Sequence, residues 1–251
     1  MKKNKLNLVF KFLKLIESSA ARLQGKGYGS ATIEKEITCL SNLLSIKPKF
    51  ALDIGGNVGS YTAELINKWP DITVHIFEPS PTNLPKLKTR FLNNKNVIIH
   101  PYAVSNFEGK TILYADQPGS GMGSLSHRDL NHLGITNFNN TEEINVVIGE
   151  DYWKKIGGGE VNIIKLDIEG HELSALKGLG EIINHVNIIQ FEFGGCNIDT
   201  GTYFKNFYDF FIEKNFILYR ITPLGVEYIS KYREVDEFFS TTNFIALNTN
   251  K

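Results

Sequence analysis

Four predicted strands carry an acid at or beside their carboxyl end, and these acids are Asp53, Glu78, Asp167 and Glu192. Charged groups beside buried strands are costly unless they are paired or used. The carboxyl ends of parallel strands meet at the crevice where open α/β sheets bind ligands. Carboxylates there can remove a proton, accept hydrogen bonds from hydroxyl groups or hold a hard cation. The sequence therefore predicts a ligand site at this edge of a sheet.

The densest group of such residues lies in Lys165-Leu-Asp-Ile-Glu-Gly-His-Glu172. Asp167 stands at the strand end itself, and a histidine such as His171 has the pKa nearest neutrality. Two alternatives stay open: His171 can be a helix-surface histidine, and an acid such as Glu169 is favourable at a helix N-terminus without further function. The candidates for a general base are Asp167, His171, Glu169 and Glu192.

The segment Phe50–Thr62 predicts a strand, a glycine-rich turn and a helix that begins near Ser60. Gly55, Gly56 and Gly59 lack the Cβ atoms that would keep a ligand away from the backbone, and they permit a positive φ. Open α/β sheets use this order of elements to hold the nucleoside part of a cofactor.

The acids near this turn indicate which cofactor it holds. The dinucleotide fingerprint G-x-G-x-x-G presses a pyrophosphate against a helix N-terminus, where a carboxylate repels it. Here the spacing is Asp53-x-Gly55-x-Asn57-x-Gly59, and an anion suits the cationic amino-acid part of S-adenosylmethionine. Glu78 can accept hydrogen bonds from both ribose hydroxyls in either class of cofactor. Asp53 therefore favours the methyl donor.

Strands and helices alternate from Phe50 onward, which predicts an α/β fold with a mostly parallel sheet. Apolar runs predict strands at residues 50–54, 72–77, 97–100, 110–115, 143–148, 161–166, 186–191, 216–221 and 243–247. The last two are expected to form the antiparallel edge hairpin of a seven-stranded sheet. A loop at residues 101–105 is expected beside the adenine. The glycine cluster at residues 119–124 is either a flexible connector or a substrate-facing loop.

Composition narrows the functional classes. A chain of 251 residues with 42% hydrophobic content can bury one large core. Because 27 basic residues balance 27 acidic ones, nucleic acid is not expected as the main partner. Cys39 and Cys196 share no metal or redox spacing and are expected to be reduced thiols. No apolar run is long enough to span a bilayer, and we expect a cytoplasmic protein.

The first 46 residues are expected to form helices ahead of the first core strand. In the first of these helices one face carries Leu6, Val9, Phe10, Leu13 and Ile16, and another carries Lys11 and Lys14. This helix either rests on an anionic membrane or a partner, packs over the rest of the chain, or joins a dimer. A second helix is expected at residues 31–44. Lysines interrupt the apolar run and no small-residue cleavage site follows, so a signal peptide is not expected.

The chain resembles the FkbM family of S-adenosylmethionine-dependent methyltransferases over residues 50–248. The matching motifs are Asp53-Ile-Gly-Gly-Asn-Val-Gly-Ser60, Phe77-Glu-Pro-Ser-Pro81, Ala103-Val-Ser105, Lys165-Leu-Asp-Ile-Glu-Gly-His-Glu172, Leu176-Lys-Gly178 and Thr242-Asn-Phe-Ile-Ala246. The sequence departs from the family at Ile148-Gly-Glu150, which weakens any inference about the substrate. The resemblance implies a Rossmann-like class I methyltransferase domain at residues 47–251, preceded by a helical extension at residues 1–46.

The resemblance also implies O-methylation of a hydroxyl group, commonly on a sugar or glycan precursor or a polyketide-type small molecule. The cofactor-binding residues that it implies are Asp53, Gly55, Gly56, Asn57, Gly59, Ser60, Tyr61, Glu78, Pro79, Ala103, Val104 and Asp167. Among them Glu78 would hold the ribose, and Ala103 and Val104 would flank the adenine. Loss of a neutral thioether needs no acid, so the chain must align the reactants and remove the hydroxyl proton.

Three alternatives stay open. Asp167 and Glu192 could offer hard oxygen ligands to Mg²⁺, although the sequence names no third ligand and we predict no metal site. A nicotinamide-dependent oxidoreductase would need the G-x-G-x-x-G spacing, which is absent. In the third alternative the protein is not an enzyme, and the chain binds a nucleoside without turnover. The acceptor is not specified by the sequence, and a homo-oligomer is compatible with it.

Overall fold

The computed structural model describes residues 2–29 and 33–251. Within them the strands are β1 (Phe50–Ile54), β2 (Thr73–Phe77), β3 (Val97–His100), β4 (Ala103–Ser105), β5 (Gly109–Ala115), β6 (Asn140–Ile148), β7 (Ile163–Leu166), β8 (Ile188–Phe193), β9 (Phe216–Thr222), β10 (Gly225–Ile229) and β11 (Thr242–Asn248). The α-helices are α1 (Lys2–Leu23), α2 (Ile33–Leu43), α3 (Ser60–Lys68), α4 (Leu84–Arg90), α5 (Gly149–Lys155), α6 (Glu172–Gly178), α7 (Ile182–His185), α8 (Cys196–Thr200) and α9 (Phe204–Glu213). Single turns of 3₁₀ helix lie at Asn131–Leu133 and Glu234–Asp236.

The main sheet has eight strands in the order β10-β9-β11-β8-β7-β1-β2-β3. The five strands from β8 to β3 are parallel to one another, whereas β11 runs antiparallel to both β8 and β9. The chain order reverses between β1 and β7, and open α/β sheets bind ligands beyond the carboxyl ends of the strands at such a switch point. The predicted α/β class with a mostly parallel sheet is confirmed.

The predicted number of seven strands is wrong. An eighth strand, β10, pairs with β9 and forms the edge, and β11 lies inside the sheet between β8 and β9. The predicted antiparallel pairing of the last two core strands is correct, but their predicted edge position is not. β10 escaped prediction because Gly225–Ile229 mixes polar and apolar residues and is only partly buried.

Two other predicted strands belong to a second sheet. β5 and β6, which were expected at residues 110–115 and 143–148, pair antiparallel in a three-stranded sheet of order β4-β6-β5. The loop expected at residues 101–105 contains the strand β4, which pairs parallel with β6. Three residues are too few to show the alternation of apolar and polar side chains that indicates a strand. For this reason the sequence did not indicate β4. The second sheet places Ala103 and Val104 beside the main sheet.

Apolar side chains cover both faces of the main sheet. One core contains Leu52, Ile54 and a group of aromatic residues around Phe191, whose ring stacks on Phe207 and Phe211 at 4.9 and 5.1 Å between centroids. The other core packs α2, α3 and α4 against the alternate residues of the same strands. Successive side chains of a strand point to opposite faces, so each central strand of the sheet is apolar on both sides. Both cysteines are free and buried, as expected.

The two leading helices differ in how they contact the rest of the chain. α2 buries Ile37 and Leu40 in the core that it shares with α3. In α1, by contrast, Leu6, Phe10 and the other large apolar side chains are exposed. α1 therefore does not pack over the sheet, which removes one of the alternatives left open by the sequence.

The substitution Gly178→Ala tests the contact that joins the second sheet to the main sheet. A Cβ atom at Gly178, at the end of α6, would overlap the carbonyl group of Ser105 in β4. Gly178 has no positive φ, so the substitution Gly178→Ala adds overlap without backbone strain. We expect Gly178→Ala to lower the free energy of unfolding by about 1–3 kcal/mol in urea titrations.

The matched control is Gly159→Ala, because a Cβ atom at Gly159 would meet no atom within 4 Å. That substitution should change stability by less than about 0.5 kcal/mol. Equal stability of the two variants would contradict the packing described here.

Candidate active site

A cleft lies beyond the carboxyl ends of β1, β2 and β7. It encloses about 590 Å³, a volume that includes the open space at its mouth. Apolar side chains such as Phe77 and Leu113 form its walls, and β4 closes one side. The predicted site residues that line the cleft are Gly55, Asn57, Glu78, Pro79, Ala103, Val104, Asp167 and His171. The predicted residues that lie outside this lining are Asp53, Gly56, Gly59, Ser60, Tyr61, Glu169 and Glu192.

The glycine-rich turn is compressed between neighbouring strand ends. Gly55, Asn57 and Gly59 have φ values of +89°, +47° and +79°, a region that glycine adopts readily and asparagine tolerates. A Cβ atom at Gly55 would overlap the carbonyl group of Asp167. The N–H groups of Gly55 and Gly56 donate to the carbonyl oxygen of Phe77 over 2.9 and 3.2 Å. The turn is thus fixed to both β2 and β7, and α3 begins immediately after it, at Ser60 as predicted.

Asp53 lies behind the turn rather than in the cleft. Its side chain is buried, and the hydroxyl group of Thr62 donates to Oδ2 over 2.6 Å. Burial raises the pKa of Asp53 to about 6, although the hydrogen bond from Thr62 opposes the shift. Asp53 therefore joins β1 to α3, and a contact between Asp53 and a ligand stays a prediction.

Glu78 is buried at the wall of the cleft. Oε2 accepts a hydrogen bond from the N–H group of Asn57 over 2.7 Å, and Oε1 accepts one from the N–H group of Ser80 over 2.9 Å. Burial raises the pKa of Glu78 to about 7 against these two hydrogen bonds. The two donors fix the carboxylate at the end of β2, and a contact between Glu78 and ribose stays a prediction.

Three acids converge beside the cleft. One carboxylate oxygen from each of Asp167, Glu169 and Glu192 lies within 4.8 Å of the others. Burial and the charge of Asp167 raise the pKa of Glu169 to about 7, against the nearby Arg128. Burial, followed by the charges of Asp167 and Glu169, raises the pKa of Glu192 well above its ordinary value. The structure thus adds Glu169 to the two oxygen ligands that the sequence indicated.

Cations of the protein already contact two of these carboxylates. Nζ of Lys165 lies 3.1 Å from Oδ2 of Asp167, and Arg128 donates to Oε2 of Glu169 over 2.8 Å. Arg128 also donates to Oδ2 of Asp199 over 2.8 Å. Much of the negative charge is therefore balanced from within the chain, and a metal ion stays an untested alternative.

Lys165 connects the acids to a buried polar network. Its ammonium group lies 5.5 Å from the ring centroid of Tyr61, whose hydroxyl group donates to Oε1 of Gln190 over 2.7 Å. Gln190 in turn donates to Oε2 of Glu36 in α2 over 2.5 Å. Burial would lower the pKa of Lys165, but Asp167, Glu36 and Glu192 outweigh it and hold that pKa raised. Tyr61 thus supports the site from behind.

The loop between β5 and β6 covers the cleft. The hydroxyl group of Ser124 donates to the carbonyl oxygen of Glu169 over 2.8 Å, and Oγ of Ser126 lies 3.0 Å from Nε2 of His171. Gly121 and Gly123 line the cleft. Of the two interpretations of the second glycine cluster, the structure supports the one in which this loop faces the site.

Sequence analysis missed Arg128 and Glu36 as site residues. Arg128 lies in a polar loop without a motif, and only its burial beside two acids identifies it. Glu36 lies 154 residues from Gln190, so local sequence could not indicate their contact. The buried carboxylate of Glu172 accepts hydrogen bonds from the N–H groups of Ile168 and Gly170, contacts that the sequence did not indicate.

Comparison with known proteins identifies the family. The family model described as the methyltransferase FkbM domain matches residues 53–218 of the chain. The chain therefore belongs to the FkbM methyltransferase domain family, as its motifs predicted.

Two curated relatives and one solved structure resemble the chain. It is 28% identical over 149 residues to Methyltransferase 1 of Beauveria bassiana, with 53% of this chain and 59% of that protein covered. It is also 28% identical over 144 residues to the hexuronic acid methyltransferase AglP of Haloferax volcanii, with 56% and 54% covered. The chain thus spans somewhat more than half the length of these relatives.

The crystal structure of methyltransferase FkbM from Methylobacillus flagellatus matches the fold with a TM-score of 0.51 at 17% identity. The match covers 82% of this chain and 45% of that one. This similarity supports the Rossmann-like methyltransferase fold alone.

Asp53 makes stability depend on pH. Its pKa is raised from 3.8 to about 6, so its contribution to stability is complete below pH 3.8 and is lost as the pH rises through 6. The Asp53→Asn variant keeps a partner for Thr62 and removes the ionisation. We expect its unfolding free energy relative to wild type to rise by about 2 kcal/mol between pH 4.5 and 7.5 in urea titrations.

The control for this measurement is Asp151→Asn, at an exposed position in α5. Its difference from wild type should stay constant with pH. If the difference in unfolding free energy between Asp53→Asn and wild type is also constant with pH, then burial does not destabilise the ionised form of Asp53.

Proposed function

We propose that this chain is an S-adenosylmethionine-dependent O-methyltransferase whose acceptor is the hydroxyl group of a sugar or glycan precursor. One observation carries the proposal: Glu78 on one side, and Asp167 with His171 on the other, face a single cleft at the switch point of the sheet. The FkbM family membership supports the reaction class.

The residues of the cleft fit an adenosyl cofactor. Glu78 has a fixed carboxylate that can accept hydrogen bonds from ribose hydroxyls, and Val104 and Leu113 offer apolar contact to a base. The turn at Gly55 presents backbone without side chains to the same space. When bound there, S-adenosylmethionine supplies an activated methyl group.

His171 is the better candidate for the general base. Burial lowers the pKa of His171, so the imidazole is neutral at pH 7 and can accept a proton. Asp167 also lines the cleft, where its ion pair with Lys165 holds the carboxylate in place and suits it to orienting a substrate. Glu169 and Glu192 lie outside the lining, next to Asp167.

The sugar acceptor is inferred from a relative and from the site. A curated relative is named for hexuronic acid methylation. In this chain the loop over the cleft contributes Ser120 to the lining, and such a hydroxyl group suits a polyhydroxylated acceptor.

Cofactor binding is the first test. We expect isothermal titration calorimetry of the purified chain to show binding of S-adenosylmethionine and not of NAD⁺. At pH 8, where a carboxyl group with a pKa of about 7 is mostly ionised, Glu78→Gln should weaken that binding about 10- to 100-fold, because it removes a charged hydrogen-bond acceptor from the ribose site. Glu108→Gln, at an exposed position between β4 and β5, should leave it unchanged.

The outcomes of this titration separate the alternatives. Binding of NAD⁺ in place of S-adenosylmethionine would favour the oxidoreductase. Tight binding of S-adenosylmethionine without methyl transfer to a panel of hexoses and hexuronic acids would favour a binding module. Each variant should unfold at the same thermal midpoint as wild type, so that a change in its binding can be attributed to the site and not to unfolding.

The pH dependence of methyl transfer tests the base. With radiolabelled methyl donor and an active member of that sugar panel, kcat/KM should fall only below pH 6.5, because His171 must be neutral. His171→Gln should lower kcat/KM about 10²- to 10⁴-fold and remove this acidic limb. If Asp167→Asn removes the limb and His171→Gln does not, Asp167 is the base and the assignment of His171 is wrong.

A further inference from the structure

The helix α1 exposes an unusually continuous apolar surface. Between Leu6 and Leu23 its large apolar side chains are each 49–70% exposed, and they are Leu6, Leu8, Val9, Phe10, Phe12, Leu13, Leu15, Ile16 and Leu23. None of these side chains belongs to either apolar core formed by the described part of the chain. Contiguous exposed apolar surface of this kind marks a site of interaction.

The sides of α1 differ in chemistry. At about 100° per residue, five of the seven polar side chains between residues 6 and 23 occupy an arc of roughly 80°, and they are Asn7, Lys11, Lys14, Ser18 and Arg22. The large apolar side chains lie in an arc of roughly 220°, into which Glu17 and Ser19 also fall. A basic polar side opposite a side rich in leucine and phenylalanine is the pattern of a helix that lies in a membrane interface.

The net charge of α1 indicates what binds to its apolar surface. Residues 2–23 contain six basic residues and one acidic residue, a net charge of +5, whereas the whole chain is neutral, so the remainder carries −5. Two copies of α1 packed side by side would repel each other, and an uncharged apolar groove would leave the lysines without a role. A surface of anionic lipid satisfies both the apolar arc and the positive charge.

The length of the helix limits how it meets a bilayer. No helix in the described residues is long and apolar enough to cross a membrane. We propose that α1 lies in the plane of an anionic lipid surface, with Phe12, Leu13 and Ile16 at the boundary of headgroups and acyl chains. Lys11 and Lys14 then face the lipid phosphates from the side of the helix. This inference is independent of the proposed reaction.

Vesicle sedimentation with the full chain tests the proposal. We expect at least about tenfold stronger binding to vesicles of phosphatidylcholine with 30% phosphatidylglycerol than to phosphatidylcholine alone, and weaker binding as salt rises. Leu13→Glu should reduce binding to the anionic vesicles at least about tenfold, because it places a carboxylate in the apolar arc. Leu133→Glu is the matched control, since Leu133 is as exposed as Leu13 but lies in the loop before β6, and it should bind as wild type does.

A second pair of variants tests the role of charge. Lys11→Glu combined with Lys14→Glu should abolish the preference for anionic vesicles, whereas Lys88→Glu combined with Lys155→Glu changes net charge equally and should keep it. Equal binding to neutral and anionic vesicles, or none to either, overturns the proposal. Analytical ultracentrifugation without lipid should show a monomer, and a dimer that Leu13→Glu dissociates would assign α1 to a second copy instead.

Discussion

The buried ammonium group of Lys165 holds the acids of the candidate site together. It contacts Asp167 directly, and the charges of Asp167, Glu36 and Glu192 together overcome the cost of its burial. A buried ion without partners costs several kcal/mol, so each of these acids affects the charge state of the others through the same cation. Burial raises the pKa values of Glu36 and Glu192, and the nearby charge of Lys165 opposes both shifts, so the two acids share one electrostatic environment.

Strand register explains why these groups meet. In the main sheet Lys165 of β7 is level with Asp53 of β1 and with Gln190 of β8. Residues in register share a face of the sheet, and this face packs against α2 and α3. Tyr61 and Gln190 extend the network from Lys165 to Glu36, which lies outside residues 53–218 of the family match. The segment before the first strand thus contributes to the support of the site.

Site residues that lie in short, local sequence motifs could be predicted from the sequence, whereas contacts between residues distant in sequence could not. The sequence indicated Glu78, Asp167 and His171 because each follows an apolar run or lies in a dense motif. It did not indicate that Glu169 would adopt a φ of +53°, which turns its carboxylate toward Arg128, because that conformation is set by packing around the turn. The second sheet was missed because β4 has only three residues, and a sheet is defined by partners distant in sequence.

Asp53 affects the electrostatic potential of the cleft from outside its lining. Its carboxylate is buried behind the turn, where Thr62 donates a hydrogen bond to it. With a pKa of about 6 it is mostly ionised at pH 7, and in a medium of low dielectric its charge offsets the positive potential at the start of α3. The electrostatic attraction that other glycine-rich turns offer to a pyrophosphate is therefore weakened here, whereas binding of a cationic ligand is not disfavoured. The same carboxylate fixes α3 through Thr62, so the electrostatic potential at the cleft and the geometry of the turn depend on one side chain.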